Sequence, residues 1–229
     1  MDYGKSEFYQ GKKGETYFSA QNQGGSAHGD MDSWKFAEWI SEGDSVLDFG
    51  CGAGWMLKSL QAGHRTGVEL NPAAIEACRG NGIEVFPDLS ALPPGRTFSR
   101  IISHHCLEHI PYPIEALRSL RERLSDDGRM IIVVPIDDWR VQRDFTGCDK
   151  DHHLHTWTPR LLANTLAEAG FECERCDVLT NAWPWRWQMF HRVLPRWAFQ
   201  WLCGLWAVAM KRRQLRVVAR KSRKISGPA

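Results

Sequence analysis

The chain has 229 residues, 29 Lys and Arg against 27 Asp and Glu, a net charge of +2, and 43 % hydrophobic residues. That length buries one substantial core, so the expectation is one domain plus an elaboration. The opening MDYGKSEFYQGKKGE has no apolar stretch of the signal-peptide kind, and no run of about 18 apolar residues predicts a spanning helix, which makes a cytoplasmic protein the expectation.

Residues 1–32 are polar and glycine-rich, yet carry Phe8, Tyr9, Tyr17 and Phe18. They read either as an arm that packs over something or as a loosely held terminus. From 33 onward the sequence predicts the main domain. Trp34, Ala37 and Ile40 recur at helical spacing over 33–41, and Val46-Leu47 leads as a strand into Asp48 and three glycines at alternate positions, Gly50, Gly52 and Gly54. A helix follows over 55–61. The alternation then repeats: a strand over 65–71 ending near Glu69, a helix over 72–79, a strand over 83–87 ending at Asp88, a strand over 100–103 ending at His104-His105, a helix over 113–124, and an apolar strand over 129–134. A helix over 158–169, a strand over 171–178 and a strand over 214–220 complete the pattern. Almost entirely apolar strands alternating with helices predict an α/β fold whose parallel sheet is covered on both faces.

Between the last two strands lies an insertion at about 181–210 that holds six of the eleven tryptophans. Its positions 194–210 read as an amphipathic helix, with Arg192, Arg196 and Gln200 opposite Leu194, Trp197, Trp201, Leu205 and Trp206. About 14 uninterrupted residues fall short of the roughly 20 that span a bilayer. A helix lying in an anionic membrane interface through 183–213, a lid over a pocket, and a dimer contact all fit this pattern. Charge points the same way: after Asp177 there is no acid and there are eleven bases, +11 against 18 minus 27, or −9, for the rest. Such a tail predicts an anionic partner, whether phospholipid surface, phosphorylated substrate or nucleic acid. The seven cysteines are scattered and odd in number, which suits reduced thiols, and Cys173 and Cys176 form a CxxC without the second pair of a zinc site.

Glycine reaches positive φ without steric penalty and lets a ligand lie against the backbone. In an open parallel sheet, ligands bind at the carboxyl ends of strands, where Asp48 to Gly54, Glu69, Asp88 and His104 all fall. Glu69 stands one βα unit past the glycines, where a carboxylate accepts both hydroxyls of a ribose, and Asp88 stands one unit further, at the place of a base edge. The spacing predicts a nucleoside site.

VLDFGCGAG, GVELN, VFPD, SHHCLEHI, LSDDGRMIIVVP and HLHTWTPRLLANTLAEAGFE resemble the successive motifs of a class I S-adenosylmethionine-dependent methyltransferase over about 33–180, with QLRVVARK similar to the antiparallel last strand of that fold. The order D-x-G-x-G-x-G differs from the G-x-G-x-x-G of dinucleotide dehydrogenases. The resemblance implies a Rossmann-like, doubly wound, seven-stranded sheet, mostly parallel with an antiparallel last strand and helices on both faces. It also implies S-adenosylmethionine as cofactor, S-adenosylhomocysteine as product, and roles for particular residues. Asp48, Gly50, Cys51, Gly52 and Gly54 would lie along the methionine part, Glu69 would hold the ribose, and Leu70, Asp88 and Leu89 would meet the adenine. His104 would sit near the methyl donor.

Methyl transfer needs alignment above all, and a base only where the acceptor must lose a proton. Histidine titrates near working pH, so His104, His105 and His153 are candidate bases. Trp139 and Arg140, past the fifth strand, and His152 and His155 are candidate acceptor contacts. The histidines around Asp151 match no closed metal-ligand spacing, so no metal is expected. Glu108-His109 opens the next helix and reads as structural. The acceptor expected is a small-molecule, lipid-linked or glycan intermediate; a peripheral place at the inner face of the membrane and a homodimer formed through the Trp face are both open to a cytoplasmic enzyme of this pattern. RNA methylation and an inactive cofactor-binding scaffold are the alternatives. Against a nucleic-acid acceptor, no N-P-P-Y-like signature follows the fourth strand and much of the basic tail brackets a strand.

Overall fold

The computed structural model describes residues 3–136 and 151–223. The chain begins in helices: α1 (Gly11–Gln21), α2 (Ser26–Asp32) and the short α3 (Trp34–Ala37). The helical segment expected over 33–41 therefore starts earlier and ends sooner, and positions read as an arm or loose terminus form an ordered cap. An alternating unit follows: β1 (Ser45–Phe49), α4 (Trp55–Ser59), β2 (His64–Val68), α5 (Pro72–Gly80), β3 (Glu84–Phe86) and β4 (Phe98–His104). After α6 (Pro113–Arg123) and β5 (Leu124–Ile136), the described chain resumes with α7 (Pro159–Glu168), β6 (Phe171–Leu179), α8 (Trp187–Val193), α9 (Arg196–Ala209) and β7 (Arg213–Lys221).

Among the described residues the strands form one seven-stranded sheet in the order β3-β2-β1-β4-β5-β7-β6. β1 to β5 pair in parallel, and β7 runs antiparallel to both β5 and β6. The local signals explain the breaks between elements. Asn71 caps α5 by accepting from the N–H groups of Ala73 and Ala74 ahead of Pro72, and Thr158 caps α7 by accepting from Leu161 N–H ahead of Pro159. The helix expected over 194–210 is α9, and Pro195 separates it from the additional short helix α8.

Strand periodicity separates two cores. Leu47, Ile101, Met130, Ile132 and Val217 pack on one face with Leu117, Leu120, Leu162 and Leu166 of α6 and α7. Val46, Ile102, Ile131, Val133 and Val218 pack on the other with Phe36, Leu57 and Ile75. Each fully buried aliphatic side chain contributes about 1.5–3 kcal/mol, so both faces are closed and the ligand space lies at the carboxyl edge. A third, small cluster, Met31, Phe199 and Cys203 with Trp183, Trp187 and Phe190, joins α2 to the tryptophan-rich insertion.

Candidate functional site

A cavity of about 760 Å³ opens at the carboxyl ends of β1, β2 and β4, within the range of about 300–1,000 Å³ usual for small-molecule sites. Its floor is the glycine turn. Gly50, Gly52 and Gly54 all have positive φ, at 83°, 53° and 77°. A Cβ on Gly50 would strike the Cys106 side chain and one on Gly54 the Cys78 sulfur, so these two glycines serve close packing. Gly52 differs, because a Cβ there would meet nothing within 4 Å. Its bare backbone faces the space in which a ligand would lie.

The end of β2 braces the turn. Val68 O accepts from the N–H groups of Gly50 and Cys51 at 2.9 and 3.2 Å, and Glu69 accepts from Gly52 N–H at 2.9 Å and from Asn71 N–H at 2.8 Å. Burial raises the Glu69 carboxyl above its ordinary range, and those backbone donors oppose the shift. Asp48 is 2 % exposed on the cavity wall, and its Oδ1 has no hydrogen-bond partner among the described residues. Burial, then the neighbouring Glu69 charge, pushes its carboxyl up to about 8. A buried acceptor without a donor beside an open glycine backbone fits a ligand that brings its own donors, such as the ammonium of an amino-acid moiety, while Glu69 stands ready for a diol.

Leu70 lines the cavity wall. Asp88 and Leu89 stand back from it. The Asp88 carboxylate bonds Ser90 and Ala91 N–H and pairs with Lys5 at 2.9 Å; despite desolvation, the Ser90 and Lys5 contacts bring it down to about 2. Leu89 is buried in the core, and Pro87 takes the place on the wall. The physical reason is the short helical turn after β3, which Asp88 caps and which turns Leu89 inward.

His104 and His105 line the cavity at the end of β4. His104 Nε2 lies 3.1 Å from Lys35 Nζ, and Lys35, only 1 % exposed, pairs with Asp32 at 2.9 Å. Burial and then the Lys35 charge hold the His104 imidazole well below its ordinary range. The ammonium donates to Nε2, so this network assigns the remaining ring proton to Nδ1. His105 also titrates low, through burial, His104 and Lys35. Its backbone has φ 51°, a left-handed conformation uncommon for a residue with a side chain, and its Nδ1 faces Glu108 Oε1 at 3.5 Å. Glu108 is fully buried under it.

The downstream histidines mainly hold the cap in place. His155 Nε2 bonds Ile110 O at 2.9 Å, and the N–H groups of Leu154 and His155 reach Glu108 O. His152 stacks on Phe8 at 4.4 Å. The Tyr9 hydroxyl stands 2.6 Å from His109 Nδ1 and donates to Asp151 O at 2.7 Å. His153 lies against His109, and with Glu108 these two bring three possible ligand atoms within 4.8 Å of one another, one short of a closed structural zinc set among the described residues. His152, His153 and His155 do not line the cavity. Trp139 and Arg140 fall outside the described residues.

Two features escaped the sequence pattern. Tyr3, Lys5, Tyr9, Tyr17 and Asp32 of the cap line the cavity, and Lys35 fixes His104 from beneath. Only the i,i+3 spacing of Asp32 and Lys35 was visible beforehand, and such a pair is ordinary on any helix. The far wall comes from the insertion and β7, with Asn181, Trp183, Trp206, Met210, Arg212, Arg213 and Gln214.

Comparison with known proteins fits this geometry. A family model described as a methyltransferase domain matches residues 33–175. The tRNA U34 carboxymethyltransferase of Aeromonas hydrophila subsp. hydrophila is 27 % identical over 142 residues, covering 52 % of this chain and 44 % of that protein. The chain spans less than half the length of the first curated relatives of that name. Among solved structures, Haemonchus contortus phosphoethanolamine N-methyltransferase 2 in complex with S-adenosyl-L-methionine superposes with a TM-score of 0.62 at 14 % identity, over 95 % of this chain and 59 % of that one. The cyclopropane synthase MmaA2 from Mycobacterium tuberculosis gives 0.57 at 14 % identity, over 85 % and 83 %. At such identities the superpositions speak for the fold, and the family match covers more than half of the chain. The chain belongs to the class I S-adenosylmethionine-dependent methyltransferases.

Proposed function

We propose that this enzyme methylates a small or lipid-linked acceptor that carries an anionic group beside an apolar body. One observation carries the reading: the cavity extends from the glycine turn past His104 and His105 to a wall of Trp183, Trp206, Met210, Arg212 and Arg213. The aromatic rings suit an apolar body and the guanidiniums an anion. The bound cofactor supplies an electrophilic methyl on a sulfonium. Asp48, Gly52, Glu69 and Leu70 hold it, with Gly50, Cys51 and Gly54 shaping the turn and Asp88 steadying the wall.

His105 is the better base for an acceptor that loses a proton. His104 Nε2 is engaged by the Lys35 ammonium, which leaves no free lone pair on that ring. His105 is neutral at working pH, and Glu108 lies where it steadies the Nδ1 side, leaving Nε2 to accept; such contacts tighten on substrate binding. His153, set back from the cavity, supports Glu108 and His109 instead.

A second reading is RNA modification, favoured by the name of the curated relatives. Against it, three of the four bases of β7 are locally neutralised: Arg216 pairs with Asp177 and Glu38, Arg220 with Glu172, and Lys221 with Asp126. Labelled methyl donor supplied with fractionated extract tests the choice. Label in the small-molecule or lipid fraction supports the proposal, and label in RNA overturns it. His105→Ala is expected to lower transfer by about 10²–10⁴-fold with S-adenosylhomocysteine binding unchanged.

A further inference from the structure

The helix α9 is apolar on two sides, one packed on the domain and one facing outward. Its polar residues tie it to α2 at the rim: half-buried Gln200 donates to Met31 O at 3.1 Å and accepts from Asn181, and exposed Arg196 donates to Asp30 O. Phe199, Cys203 and Ala207 complete the buried side. The outward stripe is Trp197, Trp201, Leu205 and Val208, with Trp197 76 % and Trp201 71 % exposed. Trp185, Met189, Val193 and Met210 extend it, so eight large apolar side chains from one insertion face outward. Single monomers rarely expose contiguous apolar patches beyond a few hundred Å².

The charge around the stripe is of one sign. Arg186 precedes α8 and Arg192 lies in its last turn, and Lys211, Arg212 and Arg213 follow α9; none of the five forms an ion pair among the described residues, and the sequence after Asp177 has no acid. A tryptophan-rich apolar stripe bordered by bases is complementary to one surface above others, an anionic bilayer, where indole rings rest at headgroup depth and bases meet lipid phosphates. A two-fold contact with a second copy would set the same five bases against themselves. Nucleic acid has no apolar surface to cover Val193, Leu205 and Val208. A crossing is excluded for α9, whose 14 residues give about 21 Å against a hydrocarbon core of about 30 Å.

We infer that the α8–α9 face docks on an anionic lipid bilayer and brings the acceptor end of the cavity to the membrane surface. Trp206, Met210, Arg212 and Arg213, on and just beyond α9, line that end of the cavity. A lipid-linked acceptor would therefore enter from the interface while its apolar chain stays in the lipid. This part rests on the acceptor reading above; the docking rests on the exposed stripe alone.

The test is flotation of the full chain with vesicles of phosphatidylglycerol or of phosphatidylcholine, alongside the rise in Tm with S-adenosylhomocysteine. The expected result is co-flotation with phosphatidylglycerol, reduced about tenfold or more by Trp197→Glu with Trp201→Glu, and reduced by Arg186→Glu with Arg192→Glu, all with the Tm rise retained. No flotation of a chain that keeps its Tm rise overturns the docking and leaves the methyltransferase reading intact. Sedimentation as a dimer that the tryptophan variant splits, without flotation, assigns the face to a second copy and also overturns it. Flotation without any Tm rise would strike the cofactor reading instead.

Discussion

The donor half of the cavity draws its groups from a short run, Asp48 to Asn71, spanning β1 and the end of β2. The acceptor half gathers Asp32 and Lys35 from before the first strand, His104 and His105 from β4, and Trp206 to Gln214 from the approach to β7. Local construction sets the backbone geometry of the donor half within one βα unit, which carries both the glycine turn and the carboxylate. Distributed construction lets the acceptor half change with the cap and the insertion. On the proposed reading, the turn would hold the donor and the added segments would choose the acceptor.

That contrast can be broken at several points. The largest expected effect is on stability. Lys35→Met leaves the Asp32 carboxylate buried without its cation, which costs about 3–5 kcal/mol, or roughly 6–20 °C of Tm for a chain of this size. Thermal unfolding measures it, and an unchanged Tm would show that the acceptor half does not depend on the buried pair. Next comes Gly52→Val, which fills the open ligand face and strains a φ of 53°; S-adenosylhomocysteine affinity should fall by about a hundredfold or more, near 2.7 kcal/mol. Calorimetric titration reads the loss, and retained affinity would displace the cofactor from the glycine turn.

The smallest effect is a pH dependence in the donor half. With the Asp48 carboxyl at about 8 in the folded chain and near 3.9 when unfolded, the folded state holds a proton through that window that the unfolded state has released. Stability of the ligand-free chain therefore falls as pH rises from about 4 to about 8. Between pH 6 and 7.5 the wild-type Tm should drop by up to about 4–8 °C more than that of Asp48→Asn. Parallel curves would mean that Asp48 is ionised in the folded chain.

The same contrast explains what the sequence made legible. The β1 turn, Glu69, and the order of strands and helices were readable because each is written in neighbouring residues: three glycines with positive φ, a proline after Asn71, a strict alternation of apolar faces. Leu89 resisted because a single short turn, capped by Asp88, decides which way its side chain points. The Lys35–His104 contact joins positions 69 residues apart, and no periodicity connects them. The sequence of the insertion shows one apolar stripe, whereas α9 has two, the buried Phe199, Cys203 and Ala207 and the exposed Trp197 and Trp201; which of them meets the core is a tertiary fact. Met31 and Asp30 of α2 supply carbonyls that hold Gln200 and Arg196 at the rim, Trp183 and Trp187 pack inward, and Trp197 and Trp201 are left outside.

The central claim, that the cavity has a donor half and an acceptor half with separate determinants, is tested most directly by titrating S-adenosylhomocysteine into the wild type, Glu69→Gln and Trp206→Ala. The account predicts a loss of affinity of about tenfold or more in Glu69→Gln, where a carboxylate bonded by Gly52 and Asn71 is neutralised, and no change in Trp206→Ala. Equal losses in the two variants, or none in Glu69→Gln, would contradict it.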